Sequence, residues 1–366
     1  MRSLYVHFPF CETKCHYCDF YSLGRERTRT GDADVFEAAL RAEAERQAPL
    51  LSPELETIFF GGGTPSMTPP ASMARALEPL WRRTRPAADV EWTMEANPSS
   101  IDAKRMKEYR ALGVNRVSMG VQSMTEALLQ KLGRVHDEAA VPRALEAVFG
   151  AGFTNVSCDL LCGVPGQALA DLDRALARLI TFPLTHLSCY LLTLPKHHRM
   201  FGELPDEDRQ LEHLLYIDEK MRAAGFEHYE ISNYARPGKR AQHNLRYWQG
   251  APYLALGPSA HSFDGDRRWK NVSSLHKYGQ LLGAGETAIE WTETLTSEQR
   301  ELEKWMLHLR LIEGFPKAWL DTEARRRKAD ALAGAGLLEP SPADGGRLRL
   351  TARGFALSDQ VIASLA

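Results

Sequence analysis

The chain has 366 residues, of which 44% are hydrophobic and 25% are charged, and its formal net charge is −2. This composition is typical of a soluble globular protein, and the small net charge excludes a global basic field that would attract nucleic acid or an anionic membrane. No run approaches the ~20 apolar residues of a membrane-spanning helix, and residues 1–10 lack the features of a signal peptide. We therefore expect the six cysteines in a reducing compartment and predict a cytoplasmic location.

In chain order, short apolar runs alternate with amphipathic stretches over the first two thirds of the sequence. Alternation of this kind implies parallel strands joined by right-handed crossovers, so the sequence predicts an α/β fold built as a partial (β/α)6 barrel. In such barrels the chemistry lies at the carboxyl ends of the strands. The predicted strands span residues 4–8, 57–60, 90–94, 116–121, 155–161 and 186–192, and the predicted helices span 34–47, 72–82, 103–112, 138–150, 169–179 and 206–224.

The pattern changes after about residue 234. Residues 235–290 mix Gly, Pro and aromatic residues without clean periodicity, and a strong helix is predicted from Ser297, which we expect to be its N-cap. Helical stretches at 317–333 and 352–365, with a short strand at 347–350, predict a small winged-helix-like domain. We therefore predict a barrel over 1–234, a connecting segment over 235–295 and a C-terminal, mostly helical domain over 296–366.

Three cysteines, Cys11, Cys15 and Cys18, follow the first predicted strand within eight residues. Thiolates are soft ligands that suit either zinc or an iron–sulfur cluster. A structural zinc site is closed and needs four protein ligands, for which His7 or His16 would have to supply the fourth. A cubane cluster held by three thiolates instead leaves one iron open to a substrate or cofactor, and the spacing favours this second interpretation.

Polar and glycine-rich positions follow the next strands. Glycines at 61–63 let the backbone approach a ligand, although a tight turn would also explain them. Glu95 ends the third strand, where solvation alone could account for a carboxylate, and Gln122 ends the fourth strand. Asp159 lies inside an otherwise apolar fifth strand, and a carboxylate there is costly without a partner. Arg134 is either a surface charge or a partner for a carboxylate.

The Cys-x3-Cys-x2-Cys loop after the first strand resembles the signature of the radical S-adenosylmethionine (SAM) superfamily. The resemblance implies that Cys11, Cys15 and Cys18 bind a [4Fe–4S] cluster whose open iron holds SAM, and that an electron from the cluster can cleave the sulfonium. No catalytic residue is assigned, and Cys158, Cys162 and Cys189 are expected to fill the core. The residues that the resemblance implies for SAM binding are Tyr5, Tyr17, Gly62, Gly63, Thr64, Glu95, Gln122, Arg134 and Asp159.

Longer motifs at 5–11, 61–66, 116–123, 159–167 and 229–235 are similar to the family of oxygen-independent coproporphyrinogen III oxidase, which also contains haem chaperones. Phe20 stands where the oxidase typically has a further cysteine, and the first strand begins at about Leu4 without the usual extension; both features favour the chaperone branch. The sequence His-Asn-Leu-Arg-Tyr-Trp at 243–248 matches a haem-binding motif, which implies that His243, Asn244, Tyr247 and Trp248 bind haem. A hydrogen-bonded turn packed on the barrel is the alternative, and His261 is a weaker second candidate.

The resemblance predicts a haem chaperone that binds haem as cargo and delivers it to client proteins, such as respiratory-chain components. The alternative is an oxidoreductase that decarboxylates the propionates of coproporphyrinogen III by radical chemistry. Expected partners are haem or porphyrin, haem-accepting clients, and an electron donor if radical chemistry occurs. A homodimer and a transient contact with membrane proteins are further expectations. No nucleic-acid partner is expected, because the basic run at 325–328 is typical of a solvated helix face.

Overall fold

The structure is a computed structural model that describes residues 1–366. Its strands are β1 Ser3–Phe8, β2 Glu54–Gly62, β3 Arg85–Ala96, β4 Arg116–Gln122, β5 Asn155–Cys162, β6 His186–Leu191, β7 Glu227–Glu230, β8 Asn233–Ala235, β9 Leu254–Leu256, β10 His261–Phe263, β11 Arg267–Asn271, β12 Ile289–Thr294, β13 Phe315–Pro316, β14 Leu338–Pro340 and β15 Arg347–Leu350. Its helices are α1 Asp32–Gln47, α2 Pro70–Leu77, α3 Ala103–Leu112, α4 Glu126–Leu132, α5 Ala140–Gly150, α6 Leu169–Ile180, α7 Glu207–Ala223, α8 Gln242–Trp248, α9 Leu275–Gly283, α10 Ser297–Leu309, α11 Glu323–Gly334, α12 Ala352–Ala356 and α13 Ser358–Leu365.

The chain divides into two compact units, and strand β5 has residues in both. The first unit comprises Met1–Asp159, Phe182–Leu184 and Ala251–Thr294, and the second comprises Leu160–Thr181, Thr185–Gly250 and Leu295–Ala366. The three-part division that we expect from the sequence stays a prediction. No helix in the structure has both the length and the apolar character needed to cross a membrane.

The first unit is built on parallel strands in the order β4-β3-β2-β1-β9. Strand β1 pairs with β2 on one side, with Tyr5 opposite Phe59, and with β9 on the other, with Tyr5 opposite Ala255. Side chains on both faces of β1 are buried, as expected for a strand of a parallel sheet that is covered on both sides. Helix α1 packs against both α2 and α9, and β10, β11 and β12 form a separate antiparallel sheet.

In the second unit, β8 pairs antiparallel with both β6 and β7. Its last segment combines α10, α11 and α13 with the antiparallel sheet β13-β15-β14, the arrangement that the C-terminal pattern predicts. Trp305 and Phe315 are fully buried at the centre of this core, with their ring centroids 5.0 Å apart. Large aromatic side chains contribute most to the burial of apolar surface in so small a core.

Several element bounds differ from the predictions. The N-cap of α10 is Thr296, not Ser297. The Thr296 hydroxyl oxygen accepts a hydrogen bond from the Gln299 amide, and the Gln299 side-chain oxygen accepts one from the Thr296 amide. The predicted helices at 317–333 and 352–365 are each interrupted, and α4 was not predicted. The segment 235–295 carries α8, α9 and four short strands, one of which, β9, completes the sheet beside β1.

Candidate cofactor-binding site

The cysteine loop begins where β1 ends and is fixed at its base by backbone hydrogen bonds. The Cys11 amide donates to the Leu23 carbonyl at 2.9 Å, and the Leu23 amide donates to the Pro9 carbonyl at 2.7 Å. The three thiols are partly exposed and none forms a disulfide. The loop therefore presents Cys11, Cys15 and Cys18 as free thiols at the carboxyl end of the first strand, where the fold predicts the chemistry.

The candidate fourth ligands of a zinc site are engaged elsewhere. Both ring nitrogens of His7 have partners, the Tyr5 hydroxyl at 3.1 Å and the Tyr21 carbonyl at 2.8 Å. The Nδ1 atom of His16 lies 3.3 Å from the Lys131 carbonyl. No group of three or more His, Cys, Asp or Glu residues is arranged around a single ion. His7 is therefore occupied, which disfavours it as a fourth zinc ligand, whereas a cubane cluster needs only the three thiolates.

Arg134 connects the cysteine loop to the ends of two other strands. Its guanidinium donates to Cys15 Sγ at 3.4 Å, to Asn97 Oδ1 at 2.8 Å and to the Gly120 carbonyl at 2.6 Å. The guanidinium also hydrogen bonds Tyr17, whose pKa is raised mainly by burial. The guanidinium thus places a positive charge next to the Cys15 sulfur. The buried Nε atom of Arg134 has no partner, so one donor remains for a ligand.

The glycine run approaches the same loop from β2. The Gly63 amide donates to the Phe8 carbonyl and the Thr64 amide to the Phe10 carbonyl, both at 2.7 Å. A Cβ atom on Gly63 would lie 2.7 Å from the Phe10 oxygen and 3.1 Å from Cys11 Sγ, so a side chain cannot fit there. The Thr64 hydroxyl reaches Cys11 Sγ at 3.5 Å and accepts a bond of 2.9 Å from Asn97 Nδ2. These close contacts place the backbone of the glycine run directly beside the thiols.

Asn97 is a site residue that the sequence analysis missed. It hydrogen bonds both Thr64 and Arg134, and thus links the glycine run to the arginine. The sequence did contain a signal for Asn97. This residue follows β3 directly and precedes a proline, and polar side chains at the carboxyl ends of barrel strands commonly take part in chemistry.

Two carboxylates lie on β3 and β5, the strands on either side of β4. Glu95 accepts a hydrogen bond of 3.0 Å from the Gly62 amide, and burial together with the nearby charge of Asp159 raises the pKa of Glu95 to about 8. The Ser118 hydroxyl lies 3.2 Å from each carboxylate oxygen of Asp159, so this carboxylate in the fifth strand has the partner that its position requires. Glu95 can thus accept or donate a hydrogen bond near neutral pH.

Two further predicted SAM residues are held in defined conformations. Gln122 ends β4 with a φ of +66°, a left-handed conformation that is uncommon for residues other than glycine and often marks a functional position. The Tyr5 hydroxyl is bonded to His7, and its ring stacks on Phe59 with the centroids 5.9 Å apart. Direct contacts, some of them through Asn97, therefore join Cys11, Cys15, Tyr17, Thr64 and Arg134 in one group. Gly62 contacts Glu95, and Asp159 contacts Ser118.

The predicted haem motif lies on helix α8, not in a turn. His243 is 1% exposed, and its Nε2 atom lies 2.8 Å from the Tyr247 hydroxyl. Burial, with a smaller effect of Arg246, lowers the pKa of His243 to about 3, so the imidazole is neutral at physiological pH. The Arg310 guanidinium lies over the Trp248 ring at 4.1 Å, and Asn244 is half-buried. His261 is in β10 with its side chain largely exposed.

The other cysteines fit the predicted core role. Cys158, Cys162 and Cys189 are buried. Burial raises the pKa of the Cys162 thiol to about 12, and it raises the pKa of Cys158 as well. These three thiols are enclosed in the core, whereas the thiols of the cysteine loop are partly exposed.

Comparison with known proteins gives a consistent result. Residues 5–179 match the family described as the Radical SAM superfamily. The chain is 36% identical to the heme chaperone HemW of Mycobacterium tuberculosis (strain H37Rv), over 99% of this chain and 94% of that protein. It is 34% identical to HemW of Bacillus subtilis (87% and 85% covered) and 35% identical to HemW of Escherichia coli (86% and 84% covered).

Among solved structures, the chain is similar to the coproporphyrinogen III oxidase HemN from Escherichia coli, described as a radical SAM enzyme. The TM-score is 0.84 at 24% sequence identity, covering 99% of this chain and 89% of that one. This likeness concerns the fold, and it confirms the predicted partial barrel with its C-terminal domain. Together with the cysteine loop and its surroundings, the matches define a radical SAM protein. Within that superfamily, the chain belongs to the family of the heme chaperones HemW.

Proposed function

We propose that the chain is a haem chaperone that holds a [4Fe–4S] cluster and SAM, binds haem as cargo and delivers it to client proteins. The observation that carries the proposal is 36% identity to a curated heme chaperone along 94% of that protein's length. Similarity of this extent includes the cysteine loop, the strand ends around it and the motif on α8. Phe20, in place of the oxidase's additional cysteine, supports the same branch.

The contacts around the cysteine loop support a role for it in cofactor binding. Cys11, Cys15 and Cys18 would hold the cluster, and the residues beside them would hold SAM. When bound, these groups supply one-electron reduction and cleavage of the sulfonium. Arg134 provides a positive charge next to Cys15 and an unpaired donor suited to a carboxylate. The Gly62 backbone and the Glu95 carboxylate offer an acceptor pair for an amino group or hydroxyl groups.

In the motif on α8, a neutral imidazole is the form that ligates haem iron. The Nε2 atom of His243 is bonded to Tyr247 in the structure. Haem ligation through Nε2 of His243 therefore requires the Tyr247 side chain to rotate away and release this nitrogen. Asn244, Tyr247 and Trp248 would then contact the macrocycle. We infer that Tyr247 holds His243 in place while no haem is bound.

A second candidate function is the radical oxidative decarboxylation of coproporphyrinogen III. The observation in its favour is the similarity in fold to an enzyme of that name over 99% of this chain. Consumption of coproporphyrinogen III in an anaerobic assay with SAM and a reductant would support this activity. The haem-accepting clients, an electron donor, a homodimer, a transient membrane-protein contact and the cytoplasmic location stay predictions.

The proposed function is tested by titrating haem into the full chain, purified without oxygen and reconstituted with its cluster. We expect a stoichiometric Soret shift for the wild type and a changed or absent shift for His243→Ala. His276→Ala is the matched control, because His276 is about half exposed and lies far along the chain from the motif. Absence of any Soret shift in the wild type would reject the chaperone proposal and favour the decarboxylase.

A further inference from the structure

Asn97 is held in place at the carboxyl end of β3 by the turn that follows it. The Asn97 amide donates a hydrogen bond to Ser100 Oγ at 3.3 Å, and the Ser100 amide donates one to the Asn97 carbonyl at 2.9 Å. The Asn97 side chain is half-buried, and both of its polar atoms form hydrogen bonds. The carboxamide therefore has a defined position between the glycine run and Arg134.

The orientation of the Asn97 carboxamide follows from the chemistry of its neighbours. A guanidinium only donates hydrogen bonds, so the atom that lies 2.8 Å from Arg134 must be the oxygen Oδ1. Nδ2 therefore faces Thr64 and donates to its hydroxyl oxygen at 2.9 Å. Because the Thr64 oxygen accepts this bond, its single proton is free for another acceptor, and Cys11 Sγ lies 3.5 Å away.

Asn97 thereby orients hydrogen-bond donors toward two of the three sulfurs of the cysteine loop. Through Thr64 it directs a hydroxyl donor at Cys11. Through Arg134 it holds a guanidinium that donates to Cys15 Sγ at 3.4 Å. Asn97 therefore acts on the sulfurs through two other side chains, which approach the loop from different strands.

Other hydrogen bonds to these sulfurs do not involve Asn97. The Ser22 side chain bonds Cys11, and the Phe20 backbone bonds Cys18. A substitution of Asn97 therefore changes only part of the hydrogen bonding around the thiols, and the loop keeps its own local bonds.

We propose that Asn97 is a positioning residue that raises the reduction potential of the [4Fe–4S] cluster by fixing the hydrogen bonds to Cys11 and Cys15. The inference rests on the proposed function, which supplies the cluster. The potential of such a cluster depends on its net charge and on hydrogen bonds to its sulfurs. Reduction by an external one-electron donor adds a negative charge, which the Thr64 hydroxyl and the Arg134 cation stabilise when they face the sulfurs.

The experiment is an anaerobic redox titration of the reconstituted full chain without SAM, followed through the EPR signal of the reduced cluster. Asn97→Asp keeps the shape of the side chain but replaces the donor Nδ2 with an acceptor. The Thr64 hydroxyl proton then turns to residue 97, and the new carboxylate neutralises Arg134. We expect the equilibrium constant for one-electron reduction to fall about tenfold, which lowers the midpoint potential by about 59 mV.

Ser99→Asp is the matched control. It adds the same charge at an exposed position of the same turn, two residues along the chain, where solvent and salt screen it. We expect the potential of the wild type. A decrease as large as that of Asn97→Asp would mean that added charge alone lowers the potential, and it would overturn the role of Asn97.

A second variant tests the route through Thr64. Thr64→Val has a similar shape but lacks the hydroxyl, so it should lower the potential while Asn97 still holds Arg134. In the Thr64→Val background, Asn97→Asp should lower the potential by less than it does in the wild type, because the bond to Cys11 is already lost.

The possible outcomes separate this role of Asn97 from the proposed function. A wild type that binds no iron after reconstitution would reject the proposed cluster itself. A wild-type cluster whose potential is unchanged in either Asn97→Asp or Thr64→Val would overturn only the role of Asn97. So would an Asn97→Asp chain that is folded by circular dichroism but holds no iron, since the three cysteines are proposed to hold the cluster without Asn97.

Discussion

Single residues in this protein join parts of the site that are far apart in the sequence. Arg134 reaches Cys15 across 119 positions, and Asn97 lies 37 positions from Arg134. Motif spacing predicts the three cysteines, because they are neighbours in the chain. Contacts such as those of Arg134 depend on which strands are neighbours in the sheet. The sequence can therefore indicate Arg134 as a site residue, but it does not identify the groups that Arg134 contacts. The resemblance to a known family, rather than the spacing, is what pointed to Arg134.

The buried state of His243 shows another limit of prediction. Its motif is visible in the sequence, but the bond to Tyr247 and the burial on α8 depend on tertiary packing. Asn97 was missed for a related reason: a strand-end amide beside a proline resembles an ordinary turn residue until its two partners are known.

Glu43 in α1 is a buried carboxylate outside the cofactor site. It accepts hydrogen bonds from the Gly257 amide at 2.8 Å, from Asn271 Nδ2 at 2.6 Å and from the Tyr278 hydroxyl at 2.5 Å. These bonds lower its pKa, but burial has the larger effect and raises the pKa to about 7 from 4.5. Because the folded-state pKa is raised, the folded state binds the proton more tightly than the unfolded chain does.

The contribution of Glu43 to the free energy of unfolding should therefore be largest below pH 4.5 and should be lost as the pH rises through 7. A shift of this size corresponds to about 3 kcal/mol. Glu43→Gln is neutral at every pH and should remove this part of the pH dependence. Urea unfolding between pH 5 and pH 8 measures it, with Glu45→Gln, exposed on the same helix, as the control. Equal pH profiles for the wild type and Glu43→Gln would contradict the prediction.

At the scale of elements, the long periodic segments were the predictable ones. Helix α3 has the predicted bounds, and α1, α6 and α7 differ by one or two residues at an end. Strong apolar spacing marks such helices whatever surrounds them. The short elements were not predictable: α4 has seven residues, and β8, β9 and β10 have three each. Segments of this length are stabilised by pairing and packing rather than by their own pattern.

The C-terminal sheet depends on a glycine before β13. Gly314 has a φ of +63°, and a Cβ atom there would lie 1.9 Å from the Leu348 carbonyl oxygen in β15. Gly314→Ala should lower the free energy of unfolding by at least ~2 kcal/mol, because backbone atoms would have to move and the φ is strained. Gly334→Ala, at the end of α11 with open space around it, should raise that free energy by about 0.5–1 kcal/mol.

Chemical denaturation of both glycine variants gives the comparison. The result that would contradict this account is an equal effect of the two alanines, which would mean that the β13–β15 pairing does not restrict residue 314.

At the scale of the whole molecule, charge is distributed without a dominant sign. The basic run at 325–328 is largely used within the C-terminal segment. Arg325 pairs with Asp321 at 3.0 Å, Arg326 donates to the Leu320 carbonyl, and Lys328 donates to the Ser364 carbonyl near the end of α13. Cations next to the carbonyls at a helix end stabilise that helix. The run therefore has a structural explanation within the fold.

We accordingly expect no appreciable affinity for DNA, although the C-terminal segment has winged-helix character. Fluorescence anisotropy with a labelled duplex at 50 mM salt should show no saturable binding, since phosphate contacts need free Lys and Arg side chains. Binding that is tight at low salt and weakens steeply as salt increases would contradict this expectation.

The pairing of β1 with β9 has a consequence for how the protein is made. Leu4 lies opposite Leu254, so one edge of the first strand stays open until about 250 further residues have been synthesised. An unpaired strand edge can pair with other chains and cause aggregation. In a nascent polypeptide, this edge is protected only by later segments of the same chain or by chaperones. The cysteine loop, the proposed cluster site, starts three residues after β1. Assembly of an iron–sulfur cluster on that loop would thus follow the translation of the first unit. Chains truncated before residue 254 should accumulate as aggregates that lack iron.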